Sequence, residues 1–277
     1  MPVLRLAIST CPNDTFAFHG LMTRAVDWRG LQFDVELHDI EVLNERLLGG
    51  AFDLCKASFH AALRAGDRVV VLPVGAALGF GVGPLLLAAS EQAVPHSADQ
   101  LTLLPGRNTT AALLFGLFHP WTTRVEHDVF SRIMPRLEAH EADFGACIHE
   151  GRFTWQRHGL HLVEDLGTRW ERETGAPLPL GGIMARRDLP ADVLADACHV
   201  ISDSLAWARA NPAAALPTMR LHAQEFDDAV LMQHVEVYVN DWTVDLGESG
   251  RRALDELSRR AAGTSPTGGG GLQVFDA

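Results

Sequence analysis

Apolar and polar positions alternate with a period of two in several short early stretches, and a helical spacing fills the gaps between them. Leu4, Leu6 and Ile8 share one face of a strand over 4–9, and Phe16, Phe18, Leu21 and Met22 give the next segment the apolar side of a helix. Leu31, Phe33, Val35 and Leu37 interleave with Gln32, Asp34, Glu36 and His38, the pattern of a half-buried strand. A helix over 41–48, a strand over 52–55, a helix over 59–65 and a strongly apolar strand over 69–74 continue the series. Repeated βα units of this kind predict a mostly parallel sheet.

The texture changes at Gly75, where Gly79, Gly81 and Gly83 lead through Pro84 into an apolar strand over 85–88. The glycines resemble a phosphate loop only superficially, because a strand follows them in place of a helix N-terminus. A flexible crossing segment is the expectation. A second series follows, with a strand over 101–104, a helix over 110–118, a connecting helix and a strand over 143–148. The chain returns over 178–185, where an apolar stretch around Gly181 and Gly182 is expected to pair beside 85–88. Helical patterns over 191–210, 212–222, 226–237 and 248–262 would pad the first lobe. The tail over 263–271 reads as mobile, with 272–275 docking. Two α/β lobes joined by two crossings result: 1–94 with 181–277 as the larger, 95–180 as the smaller. Their ligand cleft would lie at the carboxyl ends of the strands.

Composition narrows the partners. A chain of 277 residues, 47% hydrophobic and 21% charged, has the balance of a globular protein, and its net charge of −12 argues against nucleic acid. The expected partner is a small molecule. No apolar run approaches the roughly 20 residues needed to cross a bilayer, and the chain enters its first strand without a secretory leader pattern, so a cytoplasmic location is expected. Cys11, Cys55, Cys147 and Cys198 form no CxxC pair, which points to inert thiols and no zinc site or disulfide framework. Self-association beyond a weak homodimer is not expected.

Four places at element junctions carry chemistry. The run from Ser9 through Cys11, Pro12, Asn13 and Asp14 packs hydroxyl, thiol, amide and carboxylate groups between a strand and a helix. Asn13 and Asp14 could contact a ligand or simply cap that helix. Lys56 is the only lysine against 22 arginines. With Ser58 nearby, a compact ammonium there could meet an anionic or carbonyl oxygen where a planar guanidinium would not fit. Thr109, Thr110 and Ala111 open an apolar helix whose free N–H groups could seat a carboxylate, although capping explains the threonines equally well. His149 ends a strand of the second lobe, well sited for a general base.

Taken together and in order, these runs resemble the 1,4-dihydroxy-6-naphthoate synthase family. The resemblance rests on 11–16, 39–44, Lys56 with Ser58, 75–84, 105–110, His149 and Glu150 with 152–154, 178–187 and 238–240, and it spans nearly all of the chain up to about Gly263. It implies a periplasmic binding protein type II-like fold that works without metal or organic cofactor. The implied reaction converts cyclic dehypoxanthine futalosine into 1,4-dihydroxy-6-naphthoate on the futalosine route to menaquinone. His149 stands at the position of the proposed proton-abstracting base, and Asn44, Lys56, Ala57, Ser58, Thr109, Thr110 and Ala111 at positions that line the substrate pocket. Ala57 replaces a bulkier apolar residue of some relatives, which alters that wall. Two other readings share the fold: chorismate dehydratase of the same pathway, which the 11–16 and His149 motifs disfavour, and a solute-binding protein without catalysis.

Overall fold

The computed structural model describes residues 3–149, 151–223, 227–263 and 271–276. Its strands are β1 (Val3–Ser9), β2 (Gln32–His38), β3 (Leu54–Ser58), β4 (Val69–Val71), β5 (Ala77–Gly79) and β6 (Leu85–Ala88), followed by β7 (Thr102–Leu104), β8 (Val125–His127), β9 (Phe144–Cys147), β10 (His161–Asp165) and β11 (Leu178–Arg186). They form two sheets. The first runs β2-β1-β3-β11-β4 with β5 added beside β11, and the second runs β10-β6-β9-β7-β8. β1 lies parallel to both β2 and β3, as the early βα pattern requires, while β11 returns antiparallel to β3, β4 and β5.

Two expectations about the crossings are corrected. β11 does not pair beside 85–88; it joins the first sheet, and β6 joins the second between β9 and β10. The cause is local, because Gly181 lies so close to β3 that a Cβ there would stand 2.6 Å from the Ala57 carbonyl oxygen. Only a residue without a side chain lets the returning strand approach β3 at that point. Nor is the glycine-rich segment a flexible crossing throughout. Ala77–Gly79 is a buried strand on β11, and a Cβ on Gly83 would stand 2.2 Å from the Gly167 backbone, so the crossing is tightly packed there.

The helices pack where their apolar stripes direct them. Leu194, Val200 and Ile201 of Ala191–Ala210 join Leu4, Leu6 and Ile8 of β1 in one core. Residues 272–275 dock as expected, with Val71 donating to Gln273 O at 2.8 Å and Phe275 donating to Val71 O at 2.8 Å. Glu150, Phe226 and most of the expected mobile tail lie outside the described residues. Among the described residues no helix is long and apolar enough to cross a membrane.

Candidate active site between the two sheets

The first wall is built by β1, the helix Pro12–Ala17 and β3. Cys11 is the N-cap of that helix and makes no side-chain capping bond, so Asn13 and Asp14 are not caps. Both are buried and engaged elsewhere. Asp14 Oδ2 accepts from Ser9 Oγ at 2.6 Å and Ser9 N at 3.2 Å, while Oδ1 accepts from Asn13 Nδ2 at 2.8 Å and lies 2.7 Å from Lys56 Nζ. Lys56 Nζ also donates to Gly75 O at 3.0 Å. The lone lysine is therefore one half of a buried ion pair. Its compact ammonium reaches a carboxylate and a carbonyl together, which a longer planar guanidinium could not do in the same space.

Strand alternation then separates the expected neighbours of Lys56. Lys56 and Ser58 lie within β3, not after a strand ending at 55, and both face the cleft, whereas Ala57 points to the opposite side and packs in the core. Asn44 also stands behind the cleft and not in its lining. Its Oδ1 accepts from Ser58 N at 2.9 Å and its Nδ2 donates to Ser58 Oγ at 3.1 Å, so it positions Ser58.

The second wall begins at the helix Thr110–Phe118. Thr109 caps it, accepting from Ala112 N at 3.2 Å, while Thr110 Oγ1 donates to Leu180 O at 2.8 Å and ties the helix start to β11. Thr109, Thr110 and Ala111 all line the cleft. His149 follows β9 with φ of 56°, a left-handed backbone that is uncommon for a non-glycine residue. Its Nδ1 lies 3.2 Å and its Nε2 3.5 Å from Cys11 Sγ, and the Phe130 ring meets it edge-on at 4.8 Å. Cys11 thus acquires across the cleft the basic neighbour that its own segment lacks. By contrast, burial pushes the Cys55 and Cys198 thiols up to about 12, as expected of inert structural cysteines.

His234 completes the constellation, and it is the residue that sequence reasoning passed over. It comes from the helix Asp228–Tyr238, whose expected role was padding, and it lines the cleft beside Tyr238. Nothing in that helix pattern marks one histidine among 13. His234 Nε2 lies 3.0 Å from Asn13 Oδ1, and its ring is stacked 6.4 Å from that of His149. Burial, and after it the nearness of the His149 imidazole, holds its pKa well below the ordinary histidine value.

The cavity left between these groups is about 80 Å³ and opens to solvent. It offers an ammonium, hydroxyls and a helix N-terminus to an anion, and an imidazole to a proton. Among the described residues no group of three or more His, Cys, Asp or Glu side chains could hold a metal ion.

Known proteins resemble this chain in sequence and in fold. A family described as menaquinone biosynthesis matches residues 4–263. The chain is 42% identical over 262 residues to the 1,4-dihydroxy-6-naphthoate synthase of Thermus thermophilus, covering 94% of each chain. It is 39% identical over 264 residues to the enzyme of that name from Streptomyces coelicolor, covering 94% of this chain and 93% of the relative. A solved protein from Archaeoglobus fulgidus superimposes with a TM-score of 0.90 at 31% identity, covering 95% of this chain and 97% of its own. The periplasmic aliphatic sulphonate binding protein of Escherichia coli, at 13% identity, shares the fold with a TM-score of 0.65 over 100% of this chain and 95% of its own.

Proposed function

Because the chain belongs to the menaquinone biosynthesis family, we propose that it is a carbon–carbon lyase converting cyclic dehypoxanthine futalosine into 1,4-dihydroxy-6-naphthoate. His149 abstracts the proton that starts cleavage of the sugar-derived part from the ring system, and aromatisation of the product drives the step forward. Lys56, Ser58 and the first N–H groups of Thr110–Phe118 hold the substrate carboxylate and carbonyl. Asn13 and Asp14 brace Lys56, and Asn44 braces Ser58. The lobes close about the two crossings between the sheets, excluding water from the intermediate. The enzyme acts on this small anion in the cytoplasm, without nucleic acid or membrane, and at most as a weak homodimer.

The observation that carries this reading is the position of His149, brought by the second sheet to within 3.2 Å of Cys11 on the first and held in a left-handed backbone conformation. Backbone of that kind at a cleft is typical of side chains aimed for chemistry. The chorismate dehydratase and solute-binding alternatives lack the support that the two synthase relatives give. The test is product analysis by mass spectrometry with cyclic dehypoxanthine futalosine, chorismate or no added substrate. The purified protein should release 1,4-dihydroxy-6-naphthoate from the first alone, and His149→Ala should lose about 100-fold or more in kcat while still binding substrate. Wild-type turnover by His149→Ala would remove it as the base.

A further inference from the structure

A line of hydrogen bonds runs inward from the ion pair and ends at the cleft. Lys56 Nζ meets Asp14 Oδ1, Asn13 Nδ2 donates to the same oxygen at 2.8 Å, and Asn13 Oδ1 faces His234 Nε2 at 3.0 Å. Each link fixes the next. A carboxylate paired with an ammonium only accepts, so Asn13 must turn its NH₂ toward Asp14 and leave its carbonyl for His234. That carbonyl also only accepts, so the proton of the imidazole must sit on Nε2. Burial and the nearby His149 keep His234 neutral, and a neutral imidazole has one proton. Nδ1 is therefore a bare lone pair.

The atom has no protein partner among the described residues, although His234 is only 1% exposed and lines the cleft. Buried polar atoms are usually satisfied, and an unpartnered acceptor on a residue that lines a ligand cleft calls for a donor from the ligand. A carboxylate would be repelled by this lone pair, whereas a hydroxyl fits it.

We propose that His234 Nδ1 accepts a hydrogen bond from a hydroxyl of the bound substrate, which makes His234 a specificity-determining residue. The inference rests on the synthase reading above, and the hydroxyl belongs to the sugar-derived part of that substrate. Asn13 and Asp14 then act at one remove, by setting the tautomer that exposes the lone pair.

Two variants separate this role from a structural one. His234→Gln keeps a donor within reach of Asn13 but removes the acceptor at Nδ1; His234→Asn places an amide oxygen near Nδ1 and gives up the Asn13 contact. With cyclic dehypoxanthine futalosine, His234→Gln should raise KM about tenfold with kcat within about threefold of wild type, and His234→Asn should recover most of that loss. A readout independent of variant folding is ¹⁵N NMR of wild-type protein labelled at its imidazole nitrogens. Free His234 should show an unprotonated Nδ1 and a protonated Nε2, and saturating substrate should move the Nδ1 signal upfield. An unmoved Nδ1 signal in a wild-type enzyme that turns over, or KM unchanged in both variants, overturns this inference alone. Absence of wild-type turnover together with an unmoved signal overturns the synthase reading with it.

Discussion

Replacing Lys56 by methionine tests how the cleft is held together. The change keeps most of the length of the side chain and removes its charge, leaving the Asp14 carboxylate at 2% exposure without a counter-ion. Breaking a buried pair by removing one partner costs about 3–5 kcal/mol. Three donors remain on Asp14, from Ser9 N, Ser9 Oγ and Asn13 Nδ2, which places the cost near the lower end, at about 3 kcal/mol. Gly75 O also loses the lysine as a donor, adding about 1 kcal/mol. The total of about 4 kcal/mol corresponds to a fall in melting temperature of about 8 °C for a chain of this size. Urea denaturation and thermal melts of four proteins provide the assay: wild type, Lys56→Met, Asp14→Asn and the double variant. Removing both charges leaves no uncompensated ion, so the double variant should be more stable than Lys56→Met by about 2 kcal/mol. The reasoning is refuted if Lys56→Met loses under about 1 kcal/mol, or if the double variant is no more stable than that single change.

Two further outcomes follow from packing and titration. Gly181→Ala would drive a methyl group to 2.6 Å from the Ala57 carbonyl, and the two strands cannot separate locally without losing ladder bonds; thermal melting should report a loss of about 2 kcal/mol or more. His234 contributes a pH dependence of definite sign. Its folded pKa is depressed, so its contribution is fully present above the unfolded value of about 6.5 and is lost as pH falls below it, where the unfolded chain takes up a proton that the fold refuses. The slope is about 1.4 kcal/mol per pH unit in that window, and His234→Gln should remove it from the change in urea stability between about pH 7.5 and about pH 5.5. Parallel pH curves for the two proteins would contradict this assignment.

The βα alternation was legible because strands and helices leave different periods, and strand β1 and the helices Thr110–Phe118 and Ala191–Ala210 fall where their periods put them. Strand partners were not legible in the same way. Residues 178–185 and 85–88 are both short apolar runs, and apolarity alone does not choose a neighbour; the close approach at Gly181 does. The same limit affected Ala57. Its place between Lys56 and Ser58 already implied the opposite face of a strand, but only once β3 was known to reach Ser58 did the alternation apply.

By itself, the chain determined the chemical vocabulary of the cleft: an isolated lysine, a polar turn from Ser9 to Asp14, a helix start at Thr109 and a histidine after β9. It also carried the family resemblance, since ordered motifs are a property of sequence. Tertiary structure alone decided who meets whom. Asp14 and Lys56 are 42 positions apart, Cys11 and His149 138, and Asn13 and His234 221, distances over which no local pattern extends. Contacts between segments so remote are selected by how whole sheets and helices pack, and for that reason the imidazole whose tautomer Asn13 fixes could be read only from the folded chain.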